Sequence, residues 1–375
     1  MTSFPFDLPL PLHFSSILSS LSISPNQLEQ TDADKNSDIK IVSYKQCDNQ
    51  SPESLKKIRG WIYDNDKIIA RSLGYTYEYT NEDELTFINL EKVSCFPSLE
   101  GTLLRLFSYK EKWYLSTHRK IDAFNSRWGG NQTFGDIFSK ALEALDISYD
   151  IWTTTLNPQH VYFILVRHTA STRVVSTPPE TPTLYHVATL LDNEKFDLEY
   201  SIGLPKQDRI HFENVDKLRS YVSDCNPSIQ QGIILFDHES GTPTKIVNIH
   251  YQNKARVRNN EPNLSFRYLE LWRDMTSPLY QTFIELYPEF GNKSQKFVNI
   301  SFKIAKHLHN LYFAKFVKKD KKLLKTEEWI IVKYVHEWYW AERQTRKVTF
   351  DVMHRMMLSD AVIRAYYIIL KEYLD

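Results

Sequence analysis

The spacing of apolar residues changes near residue 270, and this change divides the chain into two kinds of structure. From Ile39 onward, short apolar segments alternate with polar residues and are separated by turns, a pattern typical of β-strands. Residues 278–375 instead repeat apolar positions at intervals of three and four, which predicts helices. A strand-rich segment followed by a helical one predicts an α+β fold.

The length of 375 residues is enough for about two domains at ~150 residues each. We expect an N-terminal extension and linker over residues 1–38, a strand-rich domain over 39–272 and a helical domain over 273–375. The linker prediction rests on residues 26–38, which are polar and lack periodicity, so we expect a surface loop there.

Local patterns predict the main elements of the strand-rich domain. Hairpins are expected to turn at Asn65-Asp66 and at Lys110-Glu111. An apolar face predicts a helix over residues 134–145, and a second helix is expected near 213–224. Further strands are predicted over residues 160–167, 184–191, 231–237 and 244–249.

Charge composition limits the kind of nucleic-acid binding that can be expected. Lys and Arg total 46, equal to Asp and Glu, which argues against wholesale electrostatic binding but leaves room for local patches. The strongest patch is residues 303–325, with eight lysines, one acid and interleaved aromatic residues. It predicts either a nucleic-acid surface or a solvated helix end whose lysine stems cover the core. The candidate nucleic-acid-binding residues are Lys315, Lys318, Lys319, Lys321 and Lys322.

Other features of composition bear on location and on metal binding. Cys47, Cys95 and Cys225 are widely spaced and predict reduced thiols. The N-terminus lacks a basic residue before its apolar stretch and contains three prolines, so we expect no signal peptide and no membrane association. The expected location is the cytoplasm, or a virion if the protein is viral. The scattered histidines predict no metal site, and the tryptophans of residues 329–340 are expected to pack inside the helical domain.

Three ordered segments resemble the phage-type RNA ligases, in the divergent form encoded by large DNA viruses. The first contains Arg59-Gly60 before a hairpin, and the second runs from Glu100-Gly101-Thr102 to the basic cluster at residues 116–119. The third contains residues 172–175, Thr-Arg-Val-Val, then Gln231-Gly232 and Lys245. Each motif alone is weak, but their order over residues 39–250 is moderately specific.

The resemblance implies a nucleotidyltransferase domain followed by a helical appendage. In such ligases a lysine attacks the α-phosphate of ATP, with Mg²⁺ as a cofactor, before RNA ends are sealed. Mapped residue by residue, it implies eight candidate nucleotide- or phosphate-binding positions: Arg59, Glu100, Gly101, Thr102, Arg119, Arg173, Gln231 and Lys245.

The chain departs from the family pattern at four positions that carry the chemistry. Ser98 stands where the nucleophilic lysine is expected, and a serine hydroxyl needs a neighbouring base to act as a nucleophile. Ile164 replaces a strand glutamate, Gln231 a second glutamate and Val247 a lysine. These departures remove charges that would bind a divalent cation and phosphate, so we assign no catalytic residue and expect impaired catalysis.

Three functions remain open at this point. The first is a catalytically impaired, ligase-like protein that binds nucleic acid or a nucleotide phosphate. The second is an active ATP-dependent RNA ligase or nucleotidyltransferase that uses a displaced lysine, such as Lys92 or Lys120. The third is a structural or assembly protein of a virion, with other proteins of an assembly as its partners.

Overall fold

The computed structural model describes residues 16, 18–19, 21–34, 38–65, 67–168, 173–321 and 323–374. The chain divides into two compact units, Met1–Arg256 and Val257–Asp375. The α+β prediction is confirmed, because the described part of the first unit is built on β-sheets and that of the second on helices.

Three sheets form the first unit within the described residues. Their strands are β1 (Leu28–Ala33), β2 (Ile39–Tyr44), β3 (Arg59–Asp64), β4 (Lys67–Ala70), β5 (Tyr77–Thr80), β6 (Val93–Ser98), β7 (Thr102–Tyr109), β8 (Lys112–Ser116), β9 (Val161–Arg167), β10 (Thr183–Leu191), β11 (Lys195–Asp197), β12 (Gly232–Asp237) and β13 (Pro243–Val247). The strand orders are β1-β2-β3-β4, β11-β10-β9-β7-β8 and β5-β13-β12-β6. The pairs are antiparallel except for β5 with β13, which is parallel.

Both predicted hairpins are present. Strands β3 and β4 pair with Asp64 opposite Lys67, although Asp66 of the predicted turn lies outside the described residues. Strands β7 and β8 pair with Tyr109 opposite Lys112. The two turn residues between them have φ angles of 50° and 61°, as a two-residue hairpin turn requires.

The predicted linker over residues 26–38 is wrong in part, because residues 28–33 form β1. This strand pairs with β2, with Leu28 opposite Tyr44 and Ala33 opposite Lys40. Its pairing comes from backbone hydrogen bonds at the edge of a sheet, which polar side chains such as Glu29 permit. Apolar alternation, the signal used for strands, is therefore weak in this segment.

The described helices of the first unit are α1 (Glu53–Lys56), α2 (Phe134–Glu143), α3 (Tyr149–Thr154), α4 (Val215–Asp224) and α5 (Ile249–Arg258), the last crossing the division between units. Thr133 caps the N-terminus of α2, and its hydroxyl accepts a hydrogen bond from the Asp136 amide at 3.0 Å. Its apolar face, including Phe138 and Leu142, packs in one cluster with Leu104 and Tyr162 of the five-stranded sheet.

The second unit is helical throughout its described elements, as predicted for residues 278–375. Its helices are α6 (Leu264–Trp272), α7 (Pro278–Leu286), α8 (Ser294–Tyr312), α9 (Thr326–Ala341), α10 (Phe350–Met357) and α11 (Ile363–Leu374), with a π-helical turn at Phe313–Val317. The predicted boundary at 272/273 assigned α6 to the strand-rich domain. In the structure Phe266, Leu269 and Trp272 lie in the helical core.

The length and hydropathy of a helix decide whether it can span a membrane. Among the described residues, no helix combines the length and the apolar character needed to span a bilayer.

Candidate functional site

A cavity of about 240 Å³ lies in the first unit, where β7 begins. Five of the eight predicted nucleotide-binding positions line it, namely Glu100, Gly101, Thr102, Arg173 and Gln231. They come from the turn before β7 and its first residue, the segment after β9 and the residue before β12. The structure thus brings together residues that are up to 131 positions apart in the sequence (231 − 100).

The carboxylate of Glu100 is held by four hydrogen-bond donors. The backbone amides of Val175 and Ser176 each donate to Oε1 at 2.6 Å, and the Val174 amide donates to Oε2 at 2.9 Å. The Tyr251 hydroxyl donates to Oε1 at 2.7 Å. Consecutive backbone amides of this kind form an anion-binding nest. Glu100 therefore fixes the segment that follows Arg173, and its own charge is already satisfied by the protein.

Gly101 lies where two strands come very close. A Cβ atom at this position would lie 2.5 Å from the carbonyl oxygen of Val166 and 2.9 Å from a methyl carbon of Leu165. Real Cβ atoms do not approach so closely, so the glycine of the predicted motif has a packing reason that does not depend on catalysis.

Gln231 links the cavity to Lys245. The Lys245 ammonium donates to Gln231 Oε1 at 3.1 Å, and the Gln231 backbone amide donates to the Ser98 carbonyl at 2.7 Å. Burial lowers the pKa of Lys245, Glu78 opposes this shift, and the positive charge of Arg59 adds to it. The lysine is therefore close to the cavity, behind Gln231, and is not one of the residues that line it.

The positions that depart from the family pattern are buried. Ser98 is 3% exposed, Ile164 is fully buried in an apolar cluster, and Val247 is 2% exposed. None of the three lines the cavity. These three side chains are buried inside the protein. A charged side chain without a partner at such a position would lower the stability of the fold.

Arg59 and Arg119 do not line the cavity. Arg59 donates to the Gly74 carbonyl at 3.3 Å and to the Thr76 hydroxyl at 3.2 Å. Arg119 forms an ion pair with Glu29 at 3.3 Å, and its side chain is 54% exposed. Arg119 thus pairs with an acid of β1 and does not contribute its charge to the wall of the cavity.

Sequence reasoning missed several residues of the cavity, above all Arg167, His168 and Tyr251. Arg167 ends β9, and its buried Nε has no hydrogen-bond partner within the described part of the chain. Burial lowers the pKa of His168 to about 4, which leaves the ring neutral near pH 7. In the sequence, Arg167 and His168 directly follow the apolar residues of β9, and this position at the end of a strand could have identified them as cavity residues.

The donor set of the cavity fits an anion better than a divalent cation. Mg²⁺ requires several oxygen ligands, and Glu100 is the one carboxylate among the described lining residues. Its oxygens already accept four hydrogen bonds, and no group of three potential metal ligands occurs among the described residues. The residues present therefore do not fit Mg²⁺, whereas the guanidinium groups of Arg167 and Arg173 fit phosphate.

The two lysines considered as displaced nucleophiles lie elsewhere. Lys92 is 3.8 Å from Glu239 and its side chain is 60% exposed. Lys120 is 3.4 Å from Asp32 and its side chain is 50% exposed. Neither residue lines the cavity.

The predicted nucleic-acid-binding lysines belong to the second unit. Lys318, Lys319 and Lys321 are exposed after the π-helical turn, and Lys315 is half-buried within it. Lys322 lies outside the described residues. The prediction that the neighbouring tryptophans pack inside the domain is wrong for Trp340, whose side chain is 60% exposed.

Comparison with known proteins finds viral relatives, although no family model matches the chain. It is 28% identical over 327 residues to the "Immediate-early protein ICP-46 homolog" of Invertebrate iridescent virus 6, covering 80% of this chain and 71% of that protein. It is 24% identical over 187 residues to the "Putative bifunctional polynucleotide kinase/RNA ligase" of Autographa californica nuclear polyhedrosis virus, covering 46% of this chain and 26% of that protein.

Among solved structures, an archaeal ATP-dependent RNA ligase matches with a TM-score of 0.42 and 13% identity, covering 75% of this chain and 72% of that chain. The sequence relatives are proteins of large DNA viruses, and one of them carries an RNA-ligase description. The resemblance to RNA ligases, in the divergent form of large DNA viruses, is thereby confirmed.

Proposed function

We propose that the chain is a catalytically impaired, RNA-ligase-like protein whose first unit binds a phosphate group in the cavity beside Glu100. The ligand is a nucleotide or the 5′-phosphate end of a nucleic acid, and no covalent lysyl-nucleotide forms. The observation that carries this proposal is the burial of Ser98 at the expected nucleophile position, together with the absence of lysine among the described cavity residues.

The charges of the cavity support a phosphate ligand. Arg167 and Arg173 line the cavity. The carboxylate of Glu100 already accepts hydrogen bonds from three backbone amides and from the Tyr251 hydroxyl. Guanidinium groups bind phosphate oxygens through two parallel hydrogen bonds, and burial strengthens such contacts. The arrangement can therefore hold an anion even though it lacks the groups that would activate a nucleophile.

The first experiment tests for the covalent intermediate. The full chain is incubated with ATP or GTP and a divalent cation, then digested and analysed by mass spectrometry. We expect no lysine peptide that has gained the mass of AMP or GMP. An adduct on Lys245 would instead support the active-ligase alternative, because this lysine lies next to Gln231 and its pKa is lowered by burial.

The second experiment tests the ligand. Isothermal titration with AMP, ATP and a 5′-phosphorylated dinucleotide should detect binding, and Arg173→Ala should weaken it by about tenfold or more. A single charge-assisted contact contributes roughly 1.5–3 kcal/mol, which corresponds to that range. The matched control is Arg209→Ala, which removes a surface arginine paired with Glu199. If wild-type protein binds none of the three ligands, the proposal fails, and the structural-protein alternative gains support.

A further inference from the structure

One face of α9 in the second unit carries a row of aromatic rings. Trp329, His336 and Trp340 follow one another at intervals of seven and four residues, which places them on the same side of the helix. Phe316 of the π-helical turn stacks on His336, with ring centroids 3.6 Å apart and planes 9° apart. We call these four residues, Phe316, Trp329, His336 and Trp340, the aromatic row.

Two neighbouring pairs of rings in the row are nearly parallel, and the third pair is tilted. Phe316 lies 6.0 Å from Trp329 with an interplanar angle of 20°, and His336 lies 5.9 Å from Trp340 with an angle of 34°. Trp340, at the end of the row, leaves 60% of its side-chain surface exposed. The row therefore ends in a large ring that has a tilted aromatic neighbour, His336, on one side and solvent around most of its surface.

The helical core accounts for Phe316, which packs against it, but not for the exposed Trp340. Helix α9 contributes Ile331, Val332 and Val335 to the core, and all three are fully buried. An exposed tryptophan forgoes the favourable burial of a large apolar surface, so its position calls for a partner. A π-helical turn, which supplies Phe316, is rare and is frequent at functional sites.

Positive charges flank the row. The Lys315 ammonium is 6.0 Å from the Trp329 ring, and the Arg343 guanidinium is 5.0 Å from the Trp340 ring. The exposed lysines at 318, 319 and 321 follow the π-helical turn.

Acidic residues of the same helix end are neutralised by neighbours. Glu337 lies 3.5 Å from Lys333, and Glu342 lies 2.7 Å from Arg346. The surface thus combines flat rings with several cations, and Asp320 is the acid that lies among the three exposed lysines in the sequence. That combination matches a chain of bases joined by phosphates more closely than an apolar protein surface.

We propose that the aromatic row stacks the bases of a single-stranded nucleic acid, while the flanking lysines and Arg343 bind its phosphates. This inference rests on the nucleic-acid partner of the proposed function but not on the cavity of the first unit. It assigns Trp340 the role of a base-stacking residue and Phe316, Trp329 and His336 the role of its support. Stacking on aromatic rings is tolerant of sequence, because every base has a π-face.

The test uses the full chain and two fluorescent 12-nucleotide strands, one of oligothymidine and one of the same backbone with abasic sites. Fluorescence anisotropy should show tighter binding of oligothymidine than of the abasic strand. Trp340→Ala should weaken oligothymidine binding about tenfold, within the ~1–3 kcal/mol that one stacked base contributes. The abasic strand should bind this variant as it binds wild type, because its phosphate contacts remain.

Two controls separate stacking from a general loss of structure. Trp340→Phe should keep most of the affinity, since a ring remains, and Tyr373→Ala removes a ring that is 40% exposed on α11 and should change nothing. Equal affinity of wild type for both strands, or unchanged binding by Trp340→Ala, overturns the inference. So does a failure of wild type to bind either strand at low salt, which would favour a protein partner. Nucleotide binding in the first unit is measured separately by the titration with AMP, so either proposal can fail alone.

Discussion

The hydroxyl of Tyr251 donates a hydrogen bond to the carboxylate of Glu100 at 2.7 Å, across 151 positions of the sequence. Tyr251 lies in the first turn of α5, and its backbone amide donates to the Asn248 side chain at 3.1 Å. This contact ties the start of a helix to the turn before β7. Together with the three backbone amides, it makes Glu100 the organising residue of the cavity wall.

Replacement of Glu100 should loosen this wall. Glu100→Gln keeps the size of the side chain but removes the charge that three amides and one hydroxyl solvate, so we expect a loss of about 2–3 kcal/mol in the free energy of unfolding. Urea denaturation measures the loss. Tyr251→Phe removes one of the four donors and should cost less, about 1.5 kcal/mol, the lower end of the range for a hydrogen bond to a charged group. Equal effects of the two changes would contradict the view that the backbone amides hold Glu100.

Replacement of Gly101 should be costly for a different reason. In Gly101→Ala the new methyl group would lie 2.5 Å from the Val166 carbonyl oxygen, so β7 and β9 would have to separate. We expect a loss of about 1–3 kcal/mol, typical of overpacking, by chemical denaturation. Gly291→Ala is the control, because its added methyl would meet only ordinary contact at 3.8 Å. A neutral Gly101→Ala would show that these strands can separate freely.

Restoring the nucleophile alone should not restore a reaction. Ser98→Lys places an amine at the motif position, but Ser98 is 3% exposed and does not line the cavity, and Ile164, Gln231 and Val247 remain. We expect no nucleotide adduct by mass spectrometry after incubation with ATP and a divalent cation. A lysyl-AMP peptide at position 98 would show that the nucleophile was the one missing group. Circular dichroism of the variant establishes that it is folded.

Much of the fold could be predicted from the sequence because local signals were strong. The hairpin turns, the apolar face of α2 and the helical spacing after residue 278 each depend on neighbouring residues, and the structure contains all of them. Strand β1 escaped prediction because an edge strand needs only backbone pairing. The exposure of Trp340 escaped it because apolar and aromatic residues occur on most sides of α9, so their spacing does not single out the face that meets the core.

The cavity was harder to predict than the fold. The motif order identified Glu100, Gly101 and Gln231, which line it, yet it could not show that the Glu100 carboxylate is consumed by backbone amides. Arg119 carried the right charge at the right spacing but pairs with Glu29 of the unpredicted strand. Contacts between residues that are distant in sequence decide such cases, and one sequence alone does not contain them.

Stability should fall in mild acid because of His186. Burial and the nearby Lys206 charge lower the pKa of His186 from 6.5 to about 4. The unfolded chain takes up this proton as the pH falls through about 6.5, while the folded chain stays neutral until about 4. The unfolded state thus binds more protons in this window, so stability is lost from about pH 6.5 down to about pH 4.

The loss assigned to His186 is about 3 kcal/mol at pH 4, since one pKa unit corresponds to about 1.4 kcal/mol. Urea denaturation at pH 7.5 and pH 4 measures it. His186→Gln can still contact Thr189, 3.0 Å from the ring in wild type, but does not titrate, so its stability should fall less between the two pH values. The same fall in wild type and variant would mean that His186 is protonated in the folded chain.

The lysines after the π-helical turn should govern the salt dependence of nucleic-acid binding. Each phosphate contact with a single strand contributes about −0.7 to the slope of log affinity against log salt. Changing Lys318, Lys319 and Lys321 together to Glu should therefore flatten the slope by up to about 2 and weaken binding to all sequences alike. Anisotropy titrations of oligothymidine and of a mixed-sequence strand, from low to moderate salt, measure both the slope and the affinity.

The control changes three exposed lysines of the first unit to Glu: Lys40, Lys112 and Lys217. Since both triple variants alter the net charge equally, a similar loss in each would assign the effect to total charge and the lysines at 318, 319 and 321 to a solvated surface.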